Sequence, residues 1–203
     1  IKKVTDIIIE HKKKKNKVIV VSSAMSGVTN DLIKKSKQIS NNFIDSEYDV
    51  LVSSGEQVAC SLIAGRLNHK GFKSRSWLGW QIPIFTNGPY KNSRIQQVNK
   101  NKLLRFIKEG GIPIITGFQG VNMDERVTTI GRGGSDASAI MIAKSFKAHR
   151  CIIYTDVEGV YTTDPNKLKK AKKIKVISYE EMLEMASLGA RVMQPVSIQD
   201  ARL

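Results

Sequence analysis

A glycine-rich segment, residues 131–136 (GRGGSD), runs directly into a predicted helix. Glycines at such a junction let backbone N–H groups face an anion, and the N-terminus of a helix favours negative charge. Arg132 adds a planar guanidinium that fits a carboxylate or a phosphate, and Asp136 could cap the helix or orient groups around a transferring phosphate. A glycine-rich turn with a capping Ser or Asp explains the same residues about equally well. The sequence contains no Walker A lysine pattern and no protein-kinase catalytic loop.

Glu56 is a carboxylate within an apolar stretch, within or at the start of a predicted helix (residues 53–57, SSGEQ). Its apolar neighbours in the sequence are Val50, Leu51, Val58 and Leu62. A carboxylate in such surroundings needs a cationic partner, either a Lys or Arg of the protein or the ammonium group of a ligand. A simple charge near the start of a helix is the more common explanation for such a residue taken alone.

Two further polar segments follow predicted strands. Residues 22–30 (SSAMSGVTN) offer hydroxyls and amides to a small polar ligand, or form a strand-to-helix turn capped by Thr29 or Asn30. Residues 154–165 (YTDVEGVYTTDP) could hold a ribose, stack a base and place carboxylates near magnesium. Two consecutive Asx-type turns are the plainer explanation of that second segment.

Predicted strands and helices alternate along the chain, without an internal repeat. Buried strands are predicted at 18–21, 112–120 and 151–154, with extended pieces at 73–78 and 82–85 and a polar loop at 123–134. Helices are predicted at 4–11, from Thr29 or Asn30 to Lys37, and at 48–67, 97–108, 135–146 and 179–187. This order predicts an α/β fold with a mainly parallel sheet. Ligands bind such sheets beyond the carboxyl ends of the strands, where the polar segments lie.

Composition excludes several classes of protein. The 203 residues are 41% hydrophobic, so disorder is excluded, and the two cysteines, Cys60 and Cys151, exclude a disulfide scaffold and disfavour a structural zinc site. No apolar run is long enough to span a membrane, and no signal peptide is recognisable, so a reducing, cytoplasmic setting is expected. The net charge of +15 would suit a nucleic-acid binder. The lysines are spread along the chain, however, and aromatics make up only 6%, so we expect no specific nucleic-acid partner.

Six segments, taken together, resemble the catalytic domain of the aspartokinases, within the amino-acid-kinase superfamily. They run in the family's order through nearly the whole chain: 20–30 (VVSSAMSGVTN), 53–56 (SSGE), 117–121 (GFQGV), 128–136 (TTIGRGGSD), 155–165 (TDVEGVYTTDP) and 179–190 (YEEMLEMASLGA). The resemblance implies a three-layer α/β/α sandwich. It also implies phosphorylation of the side-chain carboxylate of L-aspartate by Mg-ATP, which begins the biosynthesis of lysine, threonine and methionine, with diaminopimelate on the lysine branch in bacteria.

The resemblance also implies roles for individual residues. Ser23 and Thr29 would belong to the substrate loop, Glu56 would bind the substrate ammonium, and Arg132 would hold a substrate carboxylate. Gly133, Gly134 and Ser135 would line that pocket, and Asp136 would organise the transfer site, so that Glu56, Arg132 and Asp136 are the expected catalytic residues. The expected nucleotide-binding positions are Thr155, Asp156, Tyr161, Thr162, Thr163, Asp164, Pro165, Asn166 and Arg191. No residue is assigned as a protein ligand of a metal.

The sequence departs from the family pattern in three ways. Asn166 and Arg191 stand where many members carry Arg and Lys, and the family's first strand, with its Lys-Phe-Gly-Gly turn, does not appear before Ile1. The paired regulatory domains, through which complete members are expected to form homo-oligomers, do not appear after Leu203. The chain is therefore expected to be one catalytic domain, residues 1–203, cut from a longer protein.

Two alternatives remain open from the sequence. One is a related kinase of the same superfamily that acts on glutamate, acetylglutamate or UMP, although the pairing of SSAMSGVTN with SSGE favours aspartate. The other is a catalytically inactive remnant that serves only as a binding or assembly module. Trapping an acyl phosphate with hydroxylamine, over a panel of substrates, distinguishes them.

Overall fold

The computed structural model describes residues 1–131, 133–164, 167–188, 193 and 195–202. Its helices are α1 (Lys2–Lys13), α2 (Val28–Ile39), α3 (Asp45–His69), α4 (Asn101–Lys108), α5 (Gly134–Ser145), α6 (Tyr179–Ser187) and α7 (Pro195–Arg202). Its strands are β1 (Val20–Ser22), β2 (Ser74–Trp77), β3 (Ile84–Asn87), β4 (Arg94–Val98), β5 (Ile112–Thr116), β6 (Gln119–Val121) and β7 (Val127–Thr129).

A three-stranded parallel sheet forms the centre, with β5 between β1 and β2. All five residues of β5 are buried, as a continuous apolar strand with helices on both faces requires. Successive side chains of a strand point to opposite faces. Ile114 packs with residues of α1 and α3, whereas Ile115 packs on the other side with Leu103 of α4 and Ile142 of α5. The α/β/α layering and the parallel core of the sheet are therefore confirmed.

The other four described strands form a second sheet, in the order β4-β3-β6-β7. It is mixed, since β3 pairs antiparallel with β4 and parallel with β6, and β6 pairs antiparallel with β7. The short hairpin of β6 and β7 leads directly into the glycine-rich segment, so this sheet fixes where that segment begins.

The long helix α3 runs beside both sheets. Asp45 and Glu47 lie in its first turn, where negative charge complements the helix dipole, and Arg66 and His69 lie in its last turn. Its buried face consists mostly of small side chains, among them Ser53, Gly55, Ala59, Cys60 and Ala64. Small residues let neighbouring backbone approach the helix closely, which matters for the loops described below.

Three predicted boundaries are wrong because short strands were missed or merged. Residues 97–98 belong to β4 and not to the helix that follows, since they pair with β3. The predicted strand at 112–120 is two strands in two sheets, separated where Phe118 adopts a positive φ of 65°. Residues 127–129, predicted as loop, form β7 because they pair with β6.

The predicted buried strand at 151–154 is also wrong. These residues are exposed and form no strand, and β1 pairs only with β5 among the described strands. An apolar run becomes a strand only where a neighbour supplies backbone partners, and none of the described strands does so here. A contact of 2.8 Å between the Tyr154 hydroxyl and His11 Nε2 connects this segment to α1. No helix in the described part of the chain has the length and hydropathy needed to cross a membrane.

Candidate functional site

A cavity of about 240 Å³ opens where the loop after β1, the helix α3 and the glycine-rich segment meet. The described residues that line it are Ser23, Thr29, Glu56, Phe118, Gly131, Gly133, Gly134, Ser135 and Asp136. Seven of these were predicted from the sequence as substrate or catalytic residues. Segments up to 113 positions apart in the chain, from Ser23 to Asp136, thus form one site, as the predicted fold requires.

The first wall is the turn between β1 and α2. Gly27 precedes the helix with φ at +83°, a left-handed conformation that glycine adopts at little cost. The helix begins at Val28, and no side chain caps it, so the predicted cap by Thr29 or Asn30 is wrong. Thr29 lies inside the first turn instead and lines the cavity together with Ser23.

The second wall is α3, which contributes Glu56. Only 3% of this residue is exposed. Its Oε1 accepts a hydrogen bond of 3.1 Å from the backbone N–H of Ala24, while its buried Oε2 has no hydrogen-bond partner among the described residues. Burial raises the pKa of this carboxyl to about 7, against the opposing effect of the Ala24 N–H. The site therefore holds a carboxylate oxygen that can still accept a hydrogen bond.

The residues that bury Glu56 are not those that the sequence suggested. Val58 and Leu62 lie on the outer face of α3, with 48% and 46% of their surface exposed. Glu56 is covered instead by the loop after β1, which approaches the helix at Gly55. A Cβ on Gly55 would lie 2.9 Å from Ala24 Cβ and 3.2 Å from Val28 Cγ1, so glycine is needed for this approach.

The third wall is the glycine-rich turn into α5. Gly133 precedes the helix with φ at +70°, and neither Ser135 nor Asp136 caps it, so the capping interpretation of these two residues is wrong. Both line the cavity at the first turn of the helix. Burial raises the pKa of Asp136. An anion placed here would meet the backbone N–H groups of a helix N-terminus.

Phe118 and Ser135 pack tightly against glycines at this turn, which leaves no room there for a side chain. A Cβ on Gly134 would lie 2.9 Å from Phe118 Cδ2, and one on Gly117 would lie 2.8 Å from Ser135 Oγ. The backbone N–H of Phe118 donates to Ser138 Oγ at 3.1 Å. Phe118 was not predicted as a lining residue; its place in GFQGV, after a strand, was the signal that could have indicated it.

The predicted nucleotide-binding residues do not line this cavity. Thr155, Asp156 and Tyr161–Asp164 lie in an exposed segment, in which Thr155 Oγ1 donates to Asp156 Oδ1 and the Tyr161 hydroxyl donates to Glu158 Oε2. Arg132, Pro165, Asn166 and Arg191 were also predicted as site residues and fall outside the described residues.

The described side chains contain no group of three His, Cys, Asp or Glu residues close enough to hold a metal ion together. Among the described residues that line the cavity, the acidic ones are Asp136 and Glu56.

A comparison with protein-family models matches residues 1–202 to the model described as "Amino acid kinase family". The chain belongs to the amino acid kinase family.

Relatives within the amino acid kinase family include an aspartokinase from Geobacillus stearothermophilus, 47% identical over 202 residues. That alignment covers 100% of this chain and 50% of the relative, so the chain spans about half the length of the curated relatives that it matches.

Two solved structures are similar along nearly the whole chain. E. coli aspartokinase III, in complex with aspartate and ADP, has a TM-score of 0.85 at 26% identity and is matched over 98% of this chain and 55% of that one. The aspartate kinase from Synechocystis has a TM-score of 0.83 at 38% identity, over 98% of this chain and 33% of that one.

Proposed function

We propose that this chain is the catalytic domain of an aspartate kinase, which transfers the γ-phosphoryl group of ATP to the side-chain carboxylate of L-aspartate. The products are 4-phospho-L-aspartate and ADP. The observation that carries the proposal is Glu56, a buried carboxyl on the cavity whose Oε2 has no hydrogen-bond partner among the described residues. The similarity to aspartokinases over the whole chain supports the same conclusion.

The substrate carries one ammonium and two carboxylate groups, so its site needs one fixed anion and at least one fixed cation. Glu56 supplies the anion, since an ammonium donating to Oε2 would satisfy an atom that the fold leaves without a partner. Arg132 supplies the cation in the proposal, because its planar guanidinium fits a carboxylate at two points. Ser23, Thr29 and Ser135 add hydroxyls around the same cavity.

Phosphoryl transfer to a carboxylate asks little covalent chemistry of the protein. One carboxylate oxygen of the substrate attacks the γ-phosphorus, the bond from phosphorus to the bridging oxygen breaks in line, and its electron pair leaves with ADP. The attacking carboxylate has no proton to lose, so no general base is required. The protein therefore contributes position and charge, through the N-terminus of α5 and the charged side chains of the site.

Magnesium fits this arrangement, because Mg²⁺ usually takes one or two protein carboxylates and fills its other positions with phosphate oxygens and water. Asp136 is the carboxylate at the first turn of α5 that suits this role. When bound, Mg²⁺ neutralises charge on the phosphates of ATP. We assign the nucleotide itself to Thr155, Asp156 and residues 161–166, with Arg191, as the resemblance to aspartokinases implies.

We propose further that the longer protein containing this chain is a cytoplasmic enzyme at the start of lysine, threonine and methionine biosynthesis. It forms a homo-oligomer through regulatory domains that lie outside this chain. It binds no nucleic acid specifically.

Replacing Glu56 with Gln tests the substrate site. The amide keeps the size of the side chain but loses the charge that an ammonium requires, so transition-state binding should weaken by roughly 2–4 kcal/mol. The loss should appear in kcat/KM for L-aspartate, while KM for ATP remains close to that of the wild type. Steady-state kinetics on the full-length protein measure both.

Glu47→Gln is the matched control, because Glu47 lies at the start of the same helix but is exposed and pairs with Arg126. It should leave both kinetic constants unchanged. An unchanged kcat/KM for L-aspartate in Glu56→Gln would remove the role assigned to Glu56, and with it the observation on which the proposal rests.

A further inference from the structure

Asp49 is a fully buried carboxylate that no part of the proposed reaction uses. Its two oxygens accept hydrogen bonds from the Lys91 backbone N–H at 3.0 and 3.1 Å, from the Thr129 backbone N–H at 2.8 Å and from Thr129 Oγ1 at 2.8 Å. Burial raises the pKa of the carboxyl, and these hydrogen bonds oppose that rise. Burying a carboxyl in this way costs free energy. The contribution of Asp49 to the fold is therefore the set of directional hydrogen bonds that it accepts.

Asp49 and Glu56 lie on the same face of α3. Seven residues are almost two helical turns, so the two carboxyl groups project from one side of the helix about 10 Å apart along its axis. α3 thus contributes Glu56 to the cavity and, through Asp49, accepts hydrogen bonds from Thr129. Thr129 ends β7, immediately before the glycine-rich wall of the cavity.

The turn around Lys91 connects Asp49 to the glycine-rich wall of the cavity. Ser93 donates its backbone N–H to the Thr129 carbonyl at 2.9 Å. A Cβ on Gly131 would lie 2.9 Å from Asn92 Oδ1 and 3.0 Å from the Lys91 carbonyl, so the turn and the wall are in direct contact. Lys91 adopts φ at +66°, which residues with side chains rarely do, and its N–H thereby reaches Asp49.

Other contacts show that Lys91 is anchored to the start of α3. Its ammonium group pairs with Asp45 and lies 4.6 Å from the ring centre of Tyr48. The ammonium therefore contacts the exposed Asp45, and only the backbone of Lys91 serves Asp49. The two acidic side chains of this helix thus have separable functions.

We infer that Asp49 is a positioning residue: its carboxylate joins α3 to Thr129 and Lys91 and so sets the distance across the cavity between Glu56 and the wall that contains Gly131, Gly133 and Gly134. The inference rests on the proposed function for the identity of the ligand, L-aspartate, and on the described contacts for the geometry. Asp49 is not among the described residues that line the cavity. Its effect should therefore fall on the ligand that both walls hold.

The test compares Asp49→Asn with Asp45→Asn in the full-length protein. The Asn amide keeps one acceptor oxygen but turns an NH₂ donor towards the donors of Lys91 and Thr129. Part of these hydrogen bonds should therefore be lost, and the contact of α3 with Lys91 and Thr129 should loosen. L-Aspartate affinity, measured by calorimetry, should fall roughly 10- to 100-fold, as expected for a displaced binding wall, with Mg-ATP affinity unchanged. Asp45→Asn removes only an exposed ion pair and should bind both ligands as the wild type does.

Amide hydrogen exchange supplies a readout without ligand. Exchange at Thr129, Gly131, Gly133 and Gly134 should speed up in Asp49→Asn, whereas the middle of α3 should exchange as in the wild type. If Asp49→Asn fails to fold, Thr129→Val, which removes one donor at nearly constant shape, should show both effects to a smaller extent.

Normal L-aspartate affinity in a folded Asp49→Asn or Thr129→Val would overturn the inference. So would equal losses for both ligands with faster exchange throughout α3, since that pattern describes a general loss of stability. If the wild type binds no L-aspartate, the proposed function fails, and hydrogen exchange alone decides whether Asp49 positions the wall.

Discussion

Glu56 illustrates how a single buried group makes stability depend on pH. Burial lifts the pKa of its carboxyl from 4.5 to about 7, so between these values the folded protein keeps a proton that the unfolded chain has released. The stabilisation associated with the neutral carboxyl is fully present below pH 4.5 and is lost as the pH rises through about 7. The free energy of unfolding should fall by about 3 kcal/mol over this pH range, because one pKa unit corresponds to about 1.4 kcal/mol.

Melting temperatures of the wild type and Glu56→Gln between pH 5 and pH 8 measure this effect. The wild type should lose stability relative to the Gln variant as the pH rises. Saturating L-aspartate should reduce that loss, because its ammonium stabilises the ionised carboxylate. A difference between the two melting temperatures that does not change with pH would contradict the raised pKa.

The sequence motifs and their resemblance to aspartokinases predicted Ser23, Thr29, Glu56 and residues 133–136 as substrate or catalytic residues. The structure brings the described members of this set to one cavity, and the roles assigned to them stay predictions. Asp49 was not predicted. A second acid seven residues before Glu56, in an apolar stretch, was the available signal, but its partners Lys91 and Thr129 are 42 and 80 residues away and only the fold brings them together.

At the scale of elements, α3 fits closely against the loop after β1. Gly55→Ala should push Ala24 and Val28 away, because the added Cβ would lie 2.9 Å from Ala24 Cβ. We expect lower stability and a higher KM for L-aspartate, since Ser23 and Thr29 lie on the displaced loop. Thermal unfolding and steady-state kinetics measure the two effects.

Gly65→Ala in the same helix is the control for that prediction. A Cβ at Gly65 meets no atom within 4 Å, so this variant should be more stable by roughly 0.5–1 kcal/mol, the helix preference of Ala over Gly. Equal behaviour of the two variants would show that the close approach at Gly55 does not matter for binding.

The elements that sequence reasoning missed share a physical cause. Apolar periodicity records which side chains can be buried, but a strand also needs a neighbour with free backbone groups. Residues 151–154 have the composition of a strand and remain exposed, whereas β7 is only three residues long and forms because β6 lies beside it. The helices, whose hydrogen bonds are internal, were predicted more accurately, and α7 was the one helix of the described chain without a prediction.

At the scale of the whole molecule, the lysines behind the net charge of +15 are spread along the chain. The ion pairs in the described part of the chain are exposed. Binding to duplex DNA should therefore be weak and should disappear as salt approaches roughly 0.2 M, as expected for diffuse charge. Filter binding over a salt series measures this. Sequence-selective binding that survives higher salt would instead favour a nucleic-acid function.

The transfer step also requires a cation at the phosphates. The resemblance to aspartokinases assigns this role to the lysine of a Lys-Phe-Gly-Gly turn upstream of Ile1, and we propose that the longer protein supplies it. Loss of such a preorganised charge costs about 3–4 kcal/mol, a factor of hundreds to thousands in rate. Residues 1–203 alone should therefore bind ATP weakly and form little acyl phosphate, while a chain extended upstream through that turn should be active.

The most direct test of the account is to trap the product of the extended chain with hydroxylamine. Mg-ATP is supplied with L-aspartate, L-glutamate or N-acetyl-L-glutamate in turn, and ADP release is followed for UMP. We expect a hydroxamate that depends on L-aspartate, with little product or ADP release from the other three substrates. No hydroxamate with L-aspartate, or a larger yield with L-glutamate or N-acetyl-L-glutamate, would contradict it.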